Sequence, residues 1–354
     1  MVISGLSKSI QIAGGGVAGL TAAIQLKKAG FNPIIFEKEQ KVGAGRHGDY
    51  EGLDNWIFSR NVPAFFKESG FHFSNITSYP IYRFNVHTQL DKPIIVQNNQ
   101  PFFYMVKRGS GPNDLDYQLY RQCIEVGVRF EFGKKAPETC QIIATGTRKA
   151  AAFIRGINFK TNLKNQVHLL LGSQFAPKGY AYLIIIDGQG TLATAFKNPK
   201  NLESNPLQNC LEYFSEIGIK IRHGIWFGSR GSFSLPFGSI RSPYQIGEAG
   251  GFQDYLFGFG IRMSMMSGRA AALSILGNKK ESEMILKELN RKRRLSFVNR
   301  IIYEQLSDKR MAGLAKKLSE KSNPLSILAD AYTWNFKNIL RWINMRYRYE
   351  VRPT

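Results

Sequence analysis

The sequence predicts an α/β chain with an α+β second domain: a parallel sheet layered with helices, an inserted antiparallel-sheet domain, and a basic helical C-terminal segment. Three observations predict it. Ile10 to Lys38 reads as strand, glycine turn, amphipathic helix and strand, the opening of a βαβ unit. Thr77 to Val106 and about Ala151 to Trp226 are instead short runs of Tyr, Phe, Val and Ile broken by turn residues, as antiparallel strands are. At 354 residues the chain is too long for one simple core, so two intertwined or sequential domains are expected.

In the first unit, IQIAGGGVAGLTAAIQLKKAGFNPIIFEK, Gly14, Gly16 and Gly19 fall on the pattern G-x-G-x-x-G. The first glycine turns the chain tightly, the second lets backbone approach a pyrophosphate, and the third lets helix pack on strand. The helix that starts there points free N–H groups and its positive dipole end at phosphates. Gly14, Gly15, Gly16, Val17, Ala18 and Gly19 are therefore the candidate cradle of a Rossmann-like domain. The next strand, Pro33 to Phe36, delivers Glu37, with Lys38 beside it, about twenty residues past the glycines, where a carboxylate grips an adenosine ribose. That carboxylate repels a 2′-phosphate, so FAD or NAD is favoured over NADP.

Further along, the loop Val42 to Asp49 carries Gly45, Arg46 and His47 beside the cradle. Arg46 can neutralise pyrophosphate charge, and His47 is the candidate catalytic proton donor, because imidazole titrates near neutral pH. Between Thr77 and Val106, turns are expected at Asn85, at Asp91-Lys92-Pro93 and at Asn98-Asn99. Arg108 then precedes a Gly109 to Asn113 loop, Asp114 or Asp116 opens a helix running to about Ile124, and Gly127 to Phe132 is a strand that returns to the parallel sheet. Cys140 to Thr147 is an apolar strand ending in Ala144, Thr145 and Gly146, small enough for backbone to approach a dinucleotide.

The second β-rich stretch has expected strands at Val167–Leu171, Tyr180–Asp187, Leu192–Phe196 and Ile219–Trp226, and a helix over Asn205–Ile217. A sheet this apolar cannot stand in water on both faces, so the substrate pocket is expected on it, lined by Tyr180, Tyr182, Trp226, Phe227, Phe233 and Phe237. Tyr244 to Gly247 is a last strand, followed by Glu248, a glycine-rich run through Gly258, and a helix from about Gly260 with small residues from Ser264 to Ala272. Glu248 can accept hydrogen bonds from ribityl hydroxyls, and N–H groups at Gly260 and Ile261 can stabilise negative charge on a reduced flavin's pyrimidine edge. A nicotinamide has no such need, which moves the expected cofactor from NAD to FAD. The domain boundaries that follow are 1–76, 105–152 and 228–277 for FAD binding, 77–104 and 153–227 for a β-sheet substrate domain, and 278–354 for the basic helical region.

The formal net charge is +22. Roughly ten of the excess charges follow Lys279, in runs such as Arg291-Lys292-Arg293-Arg294 mixed with Leu, Ile, Phe, Tyr and Trp, a pattern shared by solvated helical faces and by helices on anionic membrane surfaces. No zinc, helix-turn-helix or RNA-reading motif argues for nucleic acid. Cys123, Cys140 and Cys210 lack metal-ligand spacing and are expected reduced in or near the core, and no metal is expected. No stretch approaches a transmembrane helix and no signal peptide is legible, so the expectation is a cytoplasmic protein, with the basic region touching the inner membrane face.

These segments together resemble the flavoprotein oxidoreductases of the para-hydroxybenzoate hydroxylase fold, and within them the geranylgeranyl reductase family, over roughly residues 8 to 275. The resemblance implies FAD extended across the sheet, with Glu37 on the adenosine ribose, Arg46 and Arg108 near the phosphates and ribityl chain, and Gly258 to Ile261 at the isoalloxazine. Phe175 to Tyr182 resembles that family's substrate-domain motif, with Ile184-Ile185 where Phe-Pro is usual. Glu248 stands where the usual residue is Asp, and His47 near a position where many such reductases carry Cys. What the family implies is hydride transfer from flavin N5 to a carbon–carbon double bond of an isoprenoid or other lipid-like, apolar substrate. NAD(P)H bound transiently, or a protein electron donor, would supply the reductant. The same fold hosts monooxygenases of aromatic or apolar substrates, and a non-catalytic FAD-binding protein is a further alternative. The Trp-x-Trp-x-Ile-Pro stretch of flavin-dependent halogenases is absent from the sequence.

Overall fold

The computed structural model describes residues 8–90, 92–146, 152–196, 205–231 and 241–348. Its opening unit is β1 (Ser9–Ala13), α1 (Val17–Lys28) and β2 (Asn32–Glu37). Ala, Leu and Gln make α1 a good helix, Lys27 and Lys28 complement its negative end, and Gly30, at φ +87°, turns the chain out of it. Next come β3 (Tyr50–Asp54) and α2 (Val62–Glu68), whose first turn is capped by Asn61 Oδ1, 2.9 Å from the Ala64 N–H. Then follow β4 (Tyr79–Ile81), β5 (Arg83–His87), β6 (Ile94–Gln97), β7 (Phe103–Lys107), α3 (Leu115–Glu125), β8 (Arg129–Phe132) and β9 (Ile142–Ile143). Asn85 is not a turn: it sits mid-strand in β5, paired with Ile95 of β6, and the connection lies nearer Lys92 and Pro93, Asp91 being outside the described residues.

The remaining elements are β10 (Ala152–Lys160), β11 (Gln166–Leu170), β12 (Tyr180–Ile186), β13 (Gln189–Phe196), α4 (Pro206–Glu216), β14 (Ile225–Gly231), β15 (Tyr244–Gln245) and α5 (Ile261–Ile275). Four helices close the described chain: α6 (Lys279–Glu304), α7 (Asp308–Ser319), α8 (Pro324–Asp330) and α9 (Phe336–Arg348). The strand expected at Ile219–Trp226 begins only at Ile225, because Ile219 and Ile221 pack with the cluster beneath α4 before the chain reaches β10.

Three sheets result. The first is parallel throughout, in the order β15-β9-β1-β2-β8, so the chain reverses direction across the sheet beside β1. A crevice at such a switch point is where open parallel sheets bind ligands. The second has seven strands, β14-β10-β13-β12-β11-β5-β6, antiparallel except for the β11–β5 pair. The third is a small antiparallel sheet, β3-β7-β4. The Thr77 to Val106 stretch is thus divided between two sheets, β4 and β7 in the small one and β5 and β6 at the edge of the large one.

The large sheet is apolar on both faces, as its sequence requires. One face packs Leu183, Ile185 and Leu192 beneath Leu207, Cys210 and Phe214 of α4. The other face, with Val86, Val167 and Ile184, joins the core that also holds Ile12, Leu20 and Ile35 of the parallel sheet and α1. Against α1 lies α5, and its small residues let the two approach: a Cβ on Gly268 would stand 2.3 Å from the Ala18 carbonyl oxygen. Cys123, Cys140 and Cys210 are buried free thiols. Among the described residues no helix is long and apolar enough to cross a membrane.

Candidate functional site

The cradle is built by contacts that only glycine allows. A Cβ on Gly14, which sits at φ +100°, would stand 2.4 Å from the Ala144 carbonyl oxygen, so the ends of β1 and β9 could not approach. One on Gly19 would stand 2.1 Å from the Gly14 oxygen, and α1 could not pack on β1. Gly16 is different: a Cβ there meets nothing within 4 Å, and as N-cap of α1 it offers no side-chain hydrogen bond to the helix's first N–H groups. Its open backbone and the helix end beside it, with Val17 and Ala18 as the first helical residues, suit a pyrophosphate. The Glu37 carboxylate accepts from the Gly15 N–H at 2.7 Å and the Glu39 N–H at 3.0 Å, which holds it across the turn at the end of β2. This donor and acceptor set fits the adenosine and pyrophosphate portion of a dinucleotide. Lys38 points away, exposed and paired with Glu39 at 3.4 Å.

Beside this end, Gly247 to Gly250 form a single 3₁₀ turn that carries Glu248, and the chain then runs through Gly258 (φ +74°) to Gly260, the N-cap of α5. Gly260 gives no side-chain cap, so the N–H groups at Ile261 and after it face the site as a second helix N-terminus. The run between is held from behind. The fully buried Asp254 carboxylate accepts from the Phe257 N–H and the Tyr332 hydroxyl, each at 2.6 Å. Ser296 of α6 accepts from the Tyr255 N–H, and Arg300 donates to the Lys178 carbonyl at 2.7 Å. Burial raises the Asp254 carboxyl above the ordinary carboxylate range, against the hydrogen bonds from Tyr332 and the loop.

A cavity of about 680 Å³ starts between Val17, at the first turn of α1, and the α5 N-terminus. At the cradle it is lined by Val17, Glu248 and Gly258 to Ile261; its middle is the aromatic wall of Trp56, Phe103, Phe257 and Phe259; beyond, it runs between the large sheet and α6 to α8. Tyr180 and Tyr182 of β12 line it with ring centroids 6.2 Å apart, and the Tyr180 hydroxyl donates to the Phe257 carbonyl, which ties the large sheet to the loop before α5. Burial raises the pKa of both phenols.

Other expected site residues lie elsewhere. His47 is exposed and stacks on Phe227, with centroids 5.2 Å apart, and it is not in the cavity lining. Trp226 is 58% exposed on β14, the outer strand of the large sheet. Gly45 and Thr145 are exposed, and Gly146 turns at φ +77° beyond β9. Phe233, Phe237 and Thr147 fall outside the described residues. Arg46 does line the cavity, 3.7 Å from Glu51. Arg108 lines it too, but its guanidinium is engaged: it donates to both Asp116 oxygens at 2.8 Å and to Glu51. Burial alone would weaken that charge, but the Asp116 and Glu51 carboxylates overcome it and hold Arg108 well above its ordinary pKa. An arginine so paired orients Glu51 and β3, and has little left for a phosphate.

Asp49 is not among the expected site residues. It lines the cavity at 8% exposure, and burial, then the neighbouring Glu51 carboxylate, raise its pKa despite Arg108 and Arg46. A shift in that direction favours the protonated carboxyl, which is the form that proton donation needs. Its only sequence signal was being two residues from His47. Of the remaining histidines, His87 and His168 form a buried pair beneath α4, Nε2 to Nδ1 at 2.8 Å, with the Tyr213 hydroxyl 2.7 Å from His87.

Comparison with known proteins agrees with this architecture. The NAD(P)-binding Rossmann-like domain family matches residues 12–74. No curated protein sequence matches the chain. Among solved structures, a geranylgeranyl bacteriochlorophyll reductase-like protein from Thermoplasma acidophilum superposes with a TM-score of 0.66 at 18% identity, over 96% of this chain and 97% of that one. The flavin-dependent brominase Bmp2 gives 0.61 at 15% identity, over 96% and 99%. The p-nitrophenol 4-monooxygenase of Pseudomonas putida DLL-E4 gives 0.62 at 12% identity, over 93% and 100%. At such identities what is shared is the fold, and the coverage extends it to the C-terminal helices: a Rossmann-type parallel sheet, a separate mixed sheet and a helical end, found alike in the reductase-like protein, the flavin-dependent brominase and the monooxygenase.

Proposed function

We propose that the protein is an FAD-dependent oxidoreductase that reduces carbon–carbon double bonds of an isoprenoid or other lipid-like substrate. The carrying observation is the cavity that begins at Val17 and the α5 N-terminus and continues, lined mainly by apolar side chains, between the large sheet and the C-terminal helices. Gly14 to Gly19 and Glu37 would hold the adenosine and pyrophosphate, Glu248 the ribityl chain, and the N–H groups at Gly260 and Ile261 the pyrimidine edge. When bound and reduced, FAD supplies a hydride from its N5. Trp56, Phe103 and Phe259 exclude water from the alkene, and Asp49, rather than His47, delivers the proton to the second carbon and recovers it from solvent. NAD(P)H or a protein electron donor would reload the cofactor.

A monooxygenase is the second reading, favoured by the likeness to p-nitrophenol 4-monooxygenase and by the tyrosines and phenylalanines of the cavity. Halogenation is not favoured, since the sequence lacks the Trp-x-Trp-x-Ile-Pro stretch. Anaerobic single turnover of the photoreduced holoprotein with a polyprenyl substrate decides between the two. A product heavier by two hydrogens supports reduction; turnover only on admitting oxygen, with one oxygen atom gained, supports the monooxygenase. Asp49→Asn should slow the reduction about 100-fold, as loss of a general acid does, while His47→Gln leaves it within about twofold. Protein that stays colourless after incubation with FAD would leave only a non-catalytic role.

A further inference from the structure

Among the described residues, α9 packs one face against the protein and leaves a second, apolar face uncovered. Asn338 and Trp342 are buried, and Trp342 packs with Tyr255 and Val298 of the loop before α5 and of α6. Phe336, Leu340, Ile343 and Tyr347 face outward, exposed by 77, 50, 42 and 77%. At about 100° per residue these four fall within about 60° of arc, a continuous stripe along the helix. An exposed stripe of large apolar side chains marks a surface that meets something.

Charge decides what it meets. From Phe336 to Arg348 there is no Asp or Glu, while Lys337, Arg341 and Arg348 follow the stripe along one flank and Arg346 along the other. α7 adds Lys309, Arg310, Lys316 and Lys317. A second copy of a chain with net charge +22 would bring like charge to such a face, whereas an anionic bilayer surface complements it and accepts the apolar side chains among its headgroups. The cavity reaches these helices: its lining includes Leu314 of α7, 54% exposed, Ile327 of α8, 39% exposed, and Arg341 of α9 itself.

We infer that α9 docks the protein on an anionic lipid surface, with the Phe336-Leu340-Ile343-Tyr347 stripe inserted among the headgroups and the cavity mouth at Leu314, Ile327 and Arg341 turned toward the membrane. The docking rests on α9 alone. That the mouth receives a lipid-like substrate from the membrane rests on the function proposed above.

Vesicle flotation of the full chain tests it. The protein should float with vesicles of phosphatidylcholine containing about 30% phosphatidylglycerol, remain at the bottom with pure phosphatidylcholine, and be released by salt. Phe336→Ser/Leu340→Asn/Ile343→Asn should lower the bound fraction at least about tenfold with an unchanged melting temperature, and Lys337→Glu/Arg341→Glu should do the same. Full-chain protein that fails to float with anionic vesicles overturns the inference, as does a triple variant that floats like the parent. So would a light-scattering dimer that the triple variant converts to monomer while vesicle binding persists, since the stripe would then be a self-interface. Flavin absorbance read on the same samples separates the two proposals: colourless protein that floats defeats only the redox reading, and yellow, active protein that does not float defeats only the docking.

Discussion

α6 and α9 are both basic helices rich in apolar residues, yet they meet opposite environments. In α6 the run Arg291 to Arg294 is consumed inside the protein. The Arg291 guanidinium lies over Trp334 at 5.8 Å, Lys292 Nζ donates to the Tyr332 carbonyl at 3.0 Å, and Arg294 lies over Trp342 at 5.5 Å. Arg293, with no exposure at all, packs its guanidinium over Phe252 at 4.9 Å and reaches the Tyr255 hydroxyl. In α9 Lys337, Arg341 and Arg348 are exposed, Arg346 is half-buried, and the apolar side chains they flank are covered by nothing among the described residues. The difference teaches that density of positive charge does not mark a surface. A guanidinium is planar and weakly hydrated, so aromatic rings can take it into a core; here that core backs the loop that shapes the cofactor end of the cavity.

The sharpest way to break this contrast is charge reversal in the two helices. Arg293→Glu leaves an uncompensated buried carboxylate and should cost about 3–5 kcal/mol in urea unfolding, whereas Arg341→Glu on α9 should change stability by less than about 0.5 kcal/mol. Equal losses would mean that the two helices share one environment. Arg293→Met, of similar volume, should be tolerated within about 1.5 kcal/mol, which would show that packing rather than charge is the contribution of that side chain.

A smaller effect should follow where α6 to α9 meet the loop. Tyr332→Phe removes the hydroxyl that donates to Asp254 and leaves a buried carboxylate short of one partner, at about 1–3 kcal/mol. Because Asp254 shapes the run into Gly258 and Gly260, this variant should also weaken FAD binding about tenfold by fluorescence titration, an effect that substitutions in the α9 stripe should not share.

A further effect concerns pH and sharpens the contrast between cations that burial tolerates and imidazoles that it keeps neutral. Burial lowers His87 and His168 from 6.5 to about 4. The unfolded chain therefore takes up protons below about pH 6.5 that the folded chain refuses, and stability should fall as pH drops from about 6.5 toward about 4. Urea midpoints at pH 7.5, 5.5 and 4.5 should decline, and His87→Gln/His168→Gln should flatten the decline.

What the sequence by itself determined is the cradle. Its parts, from Gly14 to Glu37, lie within one βαβ unit, and each is dictated by local geometry: a turn, a close helix–strand approach, a helix end and a carboxylate at the end of the next strand. The glycine run that carries Glu248 to the α5 N-terminus at Gly260 was legible for the same reason, since such a run entering a helix is a local signal. The seven-stranded sheet was legible as β-rich but not in its edges, because Asn85 and Ile219 obey partners distant in the chain rather than their own turn propensity. Only the tertiary structure decided that Asp49 rather than His47 faces the cavity, that Arg108 is engaged by Asp116 and Glu51, that His87 meets His168, and that Arg293 is core while Phe336 is surface. In each of these the outcome is set by desolvation, and whether a side chain loses its water depends on what other elements bring against it, which no local pattern records.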